Sequence, residues 1–476
     1  MGTPGTDIRP DSAAEPAIPA KAYRVIAAAS IGNALEWFDI LIYAFFATTI
    51  AKIFFPATDD TVSLLLALGT FGVSYLVRPL GAIVLGRYAD RVGRKAALML
   101  SIRLMMLGTA LIAFMPSYAS IGLFAPLAVL LARLIQGFSA GGEFGSSTAF
   151  LVEHAPKLRG FMASWQFASQ GVSTLLAATF GTVLTSTLST AQLESWGWRV
   201  PFAFGLLIGP VGYYIRRYVD EPPEFERARQ AEAEAGAVAE AGARAKTGQQ
   251  PGEQTGQKTA EKAREDGEVT AREKAERKPV AEVLRHHKIR VLLSVGTLAV
   301  STAITYFISY IPTFAVKELD LPASTGFAAT MVTGGVLTVM TPFIGYWSDK
   351  VGRVRIMGTF AVLILLLLYP AFSFLVAHPG FGVILVVMFL VGVLKAGYFG
   401  PLPALLADLF PMSSRATGMA LSYNIGVMLF GGMTPAVTVW LVDVTGDKLA
   451  PTWYLMALAV VSLTSVLVAR RRFGVR

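Results

Sequence analysis

Twelve apolar blocks, each about as long as a bilayer is thick, set the terms on which this chain can fold. They cover residues 24–48, 62–86, 96–115, 120–143, 160–187, 199–217, 290–315, 325–347, 356–377, 381–407, 416–441 and 452–470, taken in order as spans 1 to 12. A helix of about 20 apolar residues crosses the hydrocarbon, and merging neighbouring blocks would give spans of about forty. Gly and Pro fall inside many of the blocks, as membrane helices tolerate. The expectation is an all-α membrane protein with twelve transmembrane helices, not the three soluble domains that length alone suggests.

The charge inventory agrees. A net charge of +9 is compatible with a nucleic-acid binder, but the chain is 54% hydrophobic and only 15% charged. A soluble domain carries roughly a quarter charged residues, so nucleic acid is excluded as a partner and the lipid bilayer takes its place. With no cysteine there is no disulfide framework, thiolate metal site or Cys nucleophile. Residues 1–20 lack a basic region leading into a cleavage site, so no cleaved signal peptide is expected.

Basic residues orient the spans. With the N-terminus inside, the short cytoplasmic segments hold 17 Lys/Arg, against four on the opposite side: Lys52, Arg199, Lys317 and Lys448. This asymmetry predicts an inner-membrane, multi-pass protein with both termini cytoplasmic. From Ala228 to Pro279 the only large apolar residues are Val238 and Val269, too few to offset the entropy of ordering. The expected organisation is an N-tail (1–23), a six-helix half (24–217), a largely disordered cytoplasmic linker (218–289), a second six-helix half (290–470) and a C-tail (471–476).

The halves repeat each other. Gly86-Arg-Tyr-Ala-Asp90-Arg-Val-Gly93-Arg94-Lys95 follows span 2, and Gly345-Tyr-Trp-Ser-Asp349-Lys-Val-Gly352-Arg353 follows span 8. After spans 4 and 10 stand Glu153-His-Ala-Pro156 and Asp408-Leu-Phe-Pro411. Two matched six-helix halves describe a transporter that rocks about a central site.

These loops resemble the G-x-x-x-D-R-x-G-R-[RK] motif of the major facilitator superfamily, and Arg133, Gln136 and Gly137 resemble its fourth-helix R-x-x-Q-G. More narrowly the chain resembles the metabolite:proton symporter family. The residues that carry this are Gly32-Asn33-Ala-Leu-Glu36-Trp37-Phe38-Asp39, Arg78-Pro79-Leu80-Gly81, Gln136-Gly137 through Gly141-Gly142-Glu143, and Trp196-Gly-Trp198-Arg199-Val-Pro201-Phe202. The resemblance implies the major facilitator fold, two pseudo-symmetric halves of six helices. It also implies alternating access and substrates among citrate, 2-oxoglutarate, shikimate and zwitterions such as proline and betaine.

An ionisable side chain at the centre of a membrane helix costs about 2.5–3.5 kcal/mol on insertion scales, so each needs a partner, a wet cavity or a task. Glu36 and Asp39 share one face of span 1, with Asn33 and Tyr43 a turn to either side. At least one of the two is expected to carry the coupled proton, the other to neutralise a nearby arginine. Arg133 lies mid-span, a permanent cation, and the superfamily resemblance links it to the same proton. Arg78 lies nearer an end, open to snorkelling, helix pairing or substrate contact. Arg103 reads as structural. Lys395, on a Gly-rich helix of the second half, is a candidate cavity cation, its alternative an interhelix lysine. Gln166, Gln170, Tyr306, Tyr310, Tyr398 and Asn424 complete the candidate substrate site, although a Tyr or Gln in a membrane helix often only bonds a neighbour. By resemblance, Asp90, Arg94 and Glu153, repeated as Asp349, Arg353 and Asp408, form a cytoplasmic latch between the halves.

No enzyme is expected. The chain has no phosphate-cradling Gly-rich motif, no metal cluster and four His, so no cofactor, and transport draws on the proton gradient or runs passively. Mid-membrane cations outnumber carboxylates, which favours a monomeric proton symporter taking up a small organic anion, a di- or tricarboxylate such as citrate or 2-oxoglutarate. The alternatives are a shikimate or zwitterionic-osmolyte symporter, a proton-coupled exporter and a membrane sensor. Osmolyte carriers of the family can carry a long heptad-patterned C-terminal extension, and this chain stops at Arg476, which argues against that alternative.

Overall fold

The computed structural model describes residues 20–92, 94–154, 157–217 and 279–475, and every regular element among them is helical. Eight single helices among them are long and apolar enough to cross a bilayer: 60–88, 159–187, 288–317, 323–351, 353–377, 381–409, 415–445 and 450–473. A ninth pass is the pair Ser30–Phe45 and Ala47–Phe54, bent by 64°. Helices Arg94–Ala113, Phe124–Ala140 with Glu143–His154, and Arg199–Arg217 occupy the places of spans 3, 4 and 6. A helix therefore stands at each of the twelve positions.

Boundaries differ from the sequence expectation where local chemistry rules. Span 7 begins at Lys288 rather than 290, and just before it a separate helix, Pro279–His286, buries Val283 against span 11. That helix lies within the stretch taken as linker; residues 218–278 lie outside the described residues. Spans 4, 10 and 11 break at Gly141-Gly142, Gly400-Pro401 and Gly431-Gly432. In span 2, Ser74–Val77 tightens to 3₁₀ just before Arg78-Pro79. Pro79 has no N–H for the carbonyl four residues back and its ring crowds that turn, which 3₁₀ winding relieves.

The flanks are apolar, and the interior holds buried polar groups within its hydrophobic core. Phe114, Phe124, Leu292, Phe343 and Val386 are exposed on the flanks, whereas Arg78, Arg133 and Gln136 are almost wholly buried. A flank of this kind suits lipid, and polar groups within a bilayer gather in the bundle interior.

Spans 5 and 8 make the most extensive contact between the halves, and spans 2 and 11 approach on the other side. At one end of the span 5–span 8 seam, Gly160 and Gly345 face each other so closely that a Cβ on either would meet the other's backbone. Gly352, in the repeated loop motif, closes span 8 at φ 105°, a conformation that L side chains rarely adopt. The Trp196-Gly-Trp198-Arg199 motif pins the span 5–6 connection. Trp198 is buried against Phe54 and Phe202, and Arg199 lies over its ring while donating to the carbonyls of Ser195 and Met115.

Candidate functional site

Two buried carboxylates on span 1 point to different partners. Glu36 lies 3.6 Å from the guanidinium of Arg78, and both are buried. Arg78 also donates to the carbonyl of Ala140 at 3.1 Å and lies over the rings of Tyr75 and Tyr423. The glycines of span 4 make this possible: Gly137 and Gly141 abut the backbone of Ser74 and Arg78, so spans 2 and 4 cross with backbones almost touching.

Asp39 faces the other way, into a relay. The hydroxyl of Thr109, on span 3, donates to Asp39 Oδ2 at 2.9 Å. Gln136 Nε2 donates to that same hydroxyl at 2.9 Å, and Arg133 Nη1 donates to Gln136 Oε1 at 2.7 Å. Asp39 and Arg133 are thus joined through two side chains, with no ion pair between them among the described residues. The Arg133 guanidinium lies beside the stacked rings of Tyr43 and Phe71, at 4.6 and 4.8 Å from their centres. Asp39 Oδ1 has no hydrogen-bond partner and lies against Gly205 of span 6.

A small cavity sits between the halves, lined by Trp37, Phe167, Gln170, Leu298, Ser301, Thr302, Thr305, Phe399 and Tyr423. Its free volume is about 10 Å³, room for about one water. Gln170 is buried there, beside Tyr423. Lys395 lies one turn before Phe399, buried, with its ammonium 4.7 Å from the centre of that ring. Among the described residues no carboxylate pairs with it.

Of the residues singled out from sequence, Gln170 lines the cavity and Lys395 stands behind its wall. Tyr306 is one ring further out, 5.9 Å from Trp37 and 5.3 Å from Tyr75. Others bond within the protein. Asn33 and Gln166 bind each other: Asn33 Nδ2 donates to Gln166 O and Ser169 Oγ, and Gln166 Nε2 donates to Asn33 Oδ1. The Tyr43 hydroxyl donates to Ala67 O and that of Tyr398 to Thr297 O. Asn424 Nδ2 donates across the halves to Gly141 O at 2.7 Å. Tyr310 packs on Phe314, away from the cavity lining. Thr109 and the hydroxyls of span 7 escaped the sequence reading because a Ser or Thr in a membrane helix ordinarily bonds back to its own backbone, and Tyr75 and Tyr423 carry no charge or motif that singles them out.

At the face carrying the repeated loops, Asp349 accepts from the backbone N–H of Gly160 at 2.8 Å and of Phe161 at 3.1 Å. A carboxylate of the second half thereby caps the N-terminus of span 5 in the first, where the helix dipole favours an anion. Arg353 pairs with Asp349 at 3.0 Å and with Asp408, and Asp408 pairs with Arg159 at 3.2 Å. Arg159 of the first half thus adds an ion pair across the halves beside the Asp349 cap. The side chains of Asp90, Arg94 and Glu153 lie outside the described residues. At the opposite face the centre is covered by Phe45 and Phe46 of the span 1 bend, packed against Phe327 of span 8.

The chain matches the sugar (and other) transporter family over residues 25–470, and it belongs to that family of the major facilitator superfamily. It is 34% identical over 446 residues to the citrate-proton symporter of Klebsiella pneumoniae, covering 93% of this chain and 91% of that one. It is 36% identical over 438 residues to the citrate-proton symporter of Salmonella typhi, covering 91% of each. The proline/betaine transporter of Escherichia coli K12 is 30% identical over 446 residues, covering 93% of this chain and 82% of that one. Among solved structures, the partially occluded inward-open xylose transporter XylE of E. coli superposes with a TM-score of 0.68, at 15% identity, over 95% of this chain and 97% of that one. The twelve-helix fold of two six-helix halves is therefore that of the superfamily.

Proposed function

We propose that this protein is a proton-coupled symporter of the bacterial inner membrane that takes up a small organic anion, a di- or tricarboxylate such as citrate. The observation that carries the substrate class is Lys395. Arg78 is already matched by Glu36, and Arg133 is bound into the relay ending at Asp39. Lys395 differs from these two: among the described residues no carboxylate pairs with it, and its ammonium lies over the Phe399 ring, one turn from the cavity wall. A buried ammonium is too costly to keep without a use, and an anionic substrate supplies the missing counter-charge. The citrate-proton symporters among its relatives support the same class.

Asp39 is the proton site in this account and Glu36 the structural partner of Arg78. The face bearing the repeated loops is the cytoplasmic one, as the Lys/Arg asymmetry favours. Its cluster of Arg159, Asp349, Arg353 and Asp408 latches that face shut. Partly desolvated ion pairs that break and remake form a two-state element, so opening the latch releases substrate inward. The cavity has room for about one water, and substrate enters when the halves part.

A second reading has its own observation. Trp37, Phe167, Phe399 and Tyr423 surround the cavity, and aromatic walls also suit a quaternary ammonium such as betaine. Competition in purified proteoliposomes separates the two. Unlabelled citrate, 2-oxoglutarate, shikimate and betaine are each set against labelled citrate and labelled betaine exchange. The carboxylate reading expects exchange of citrate, blocked by citrate and not by betaine; betaine exchange without citrate exchange reverses the assignment.

A further inference from the structure

We propose that Thr109 is the positioning residue through which the proton carried by Asp39 is made known to Arg133. This rests on the symport reading above, with Asp39 as the proton site. Three hydrogen bonds run in one direction: Arg133 to Gln136, Gln136 to Thr109, Thr109 to Asp39 Oδ2. Each donor in the chain points toward the carboxylate, so the cation stands at one end and the anion at the other. The Thr109 hydroxyl has one proton and two acceptor positions, and the carbonyl of Met105 is a second acceptor at 3.0 Å.

That arrangement is a switch. While Asp39 is ionised, Thr109 spends its proton on Oδ2. When a proton from solvent binds Oδ2, the new carboxylic O–H becomes a donor, and two donors cannot face each other. The Thr109 hydroxyl then turns to the Met105 carbonyl and accepts from both Asp39 and Gln136. No proton leaves Thr109; only its orientation changes. The chain loses its anionic end, and the hold on Arg133, beside Tyr43 and Phe71, changes with it. Of the groups around Asp39, Thr109 comes from span 3, the Gly205 backbone from span 6 and Arg133 from span 4; Glu36 on its own helix is turned to Arg78. Among the described residues Thr109 is the only hydrogen-bond donor to Asp39, because Oδ1 has none.

Thr109→Val keeps the shape and removes the hydroxyl; Thr109→Ser keeps the hydroxyl. Infrared difference spectra of the full-length protein in proteoliposomes, taken across a pH series, report the protonated-carboxyl band, assigned to Asp39 by its loss in Asp39→Asn. The expected result is a midpoint displaced by about one pH unit in Thr109→Val, with citrate accumulation under an imposed pH gradient reduced about tenfold or more. Thr109→Ser restores both. If Thr109→Val fails to fold, Gln136→Met cuts the same chain one link further on and is expected to lose accumulation likewise. An unmoved midpoint, or coupling intact in Thr109→Val, overturns the proposal, as does a Thr109→Ser variant that behaves like Thr109→Val. A band that persists in Asp39→Asn instead sinks the assignment of Asp39 as proton site, on which the proposal rests. The spectra need no transported substrate, so a wild type that ignores citrate still leaves Thr109 decided.

Discussion

Among the described residues the two buried carboxylates of span 1 each have an arginine to answer, and no carboxylate pairs with Lys395. Glu36 answers Arg78, Asp39 is tied by hydrogen bonds to Arg133, and Lys395 has the ring of Phe399. Two consequences of opposite sign follow for Lys395→Met. Removing an uncompensated buried ammonium and keeping an apolar stem should stabilise the empty protein, by an amount on the order of the 2.5–3.5 kcal/mol insertion cost, read as a higher Tm. The same variant should raise KM for citrate about tenfold or more, a loss of at least about 1.4 kcal/mol of substrate interaction. A lower Tm with unchanged KM places Lys395 in helix packing instead. At this scale the sequence was informative where a charge interrupts an apolar run, since nothing else in the membrane looks like Arg133 or Lys395. It was silent on partners. Asn33 and Gln166, read as substrate contacts from their polarity and helix face, bind each other, and Thr109 looks like any threonine bonding back to its own helix.

Helices and their breaks show the same division. Span positions were legible because hydropathy blocks are long and the bilayer sets their length; the break at Gly141-Gly142 and the bend after Phe45 were not, since they serve crossings between distant spans. The Gly160–Gly345 approach is such a crossing. Gly345→Leu is predicted to force spans 5 and 8 apart and cost about 1–3 kcal/mol, read as a lower Tm; an unchanged Tm means the seam relaxes freely. At the other face, Asp59 caps span 2, accepting from the N–H groups of Thr61 and Val62. Those bonds hold its carboxyl below the usual carboxylate range. A lowered value in the folded state means the stabilisation is complete above the unfolded value and fades as pH falls through the folded one. Asp59→Ala should therefore lower Tm at neutral pH, with the gap to wild type closing in acid. A gap independent of pH would mean that Asp59 acts through something other than its charge.

Across the whole molecule, unlike materials join the halves at the two faces: ion pairs and a helix cap where the loops repeat, aromatic packing at the other. The repeat of the loop motifs made the two halves legible in the sequence, but not the crossing from Asp408 to Arg159 that joins them. Asp408→Asn removes the negative charge that holds both Arg159 and Arg353, and one of its two acceptor oxygens, and should open the loop face. Because the chain has no cysteine, a single Phe167→Cys reports this directly: labelling by an impermeant maleimide from the loop side should rise several-fold in Asp408→Asn. Equal labelling with and without the substitution means the ion pairs do not hold that face. The central claim is that this fold uses a proton to move an organic anion uphill, and citrate accumulation in proteoliposomes under an acid-outside pH gradient tests it most directly. The account predicts internal citrate above the external concentration, abolished by a protonophore and by Asp39→Asn, with exchange spared in that variant. Citrate that merely equilibrates, indifferent to the gradient, would contradict it.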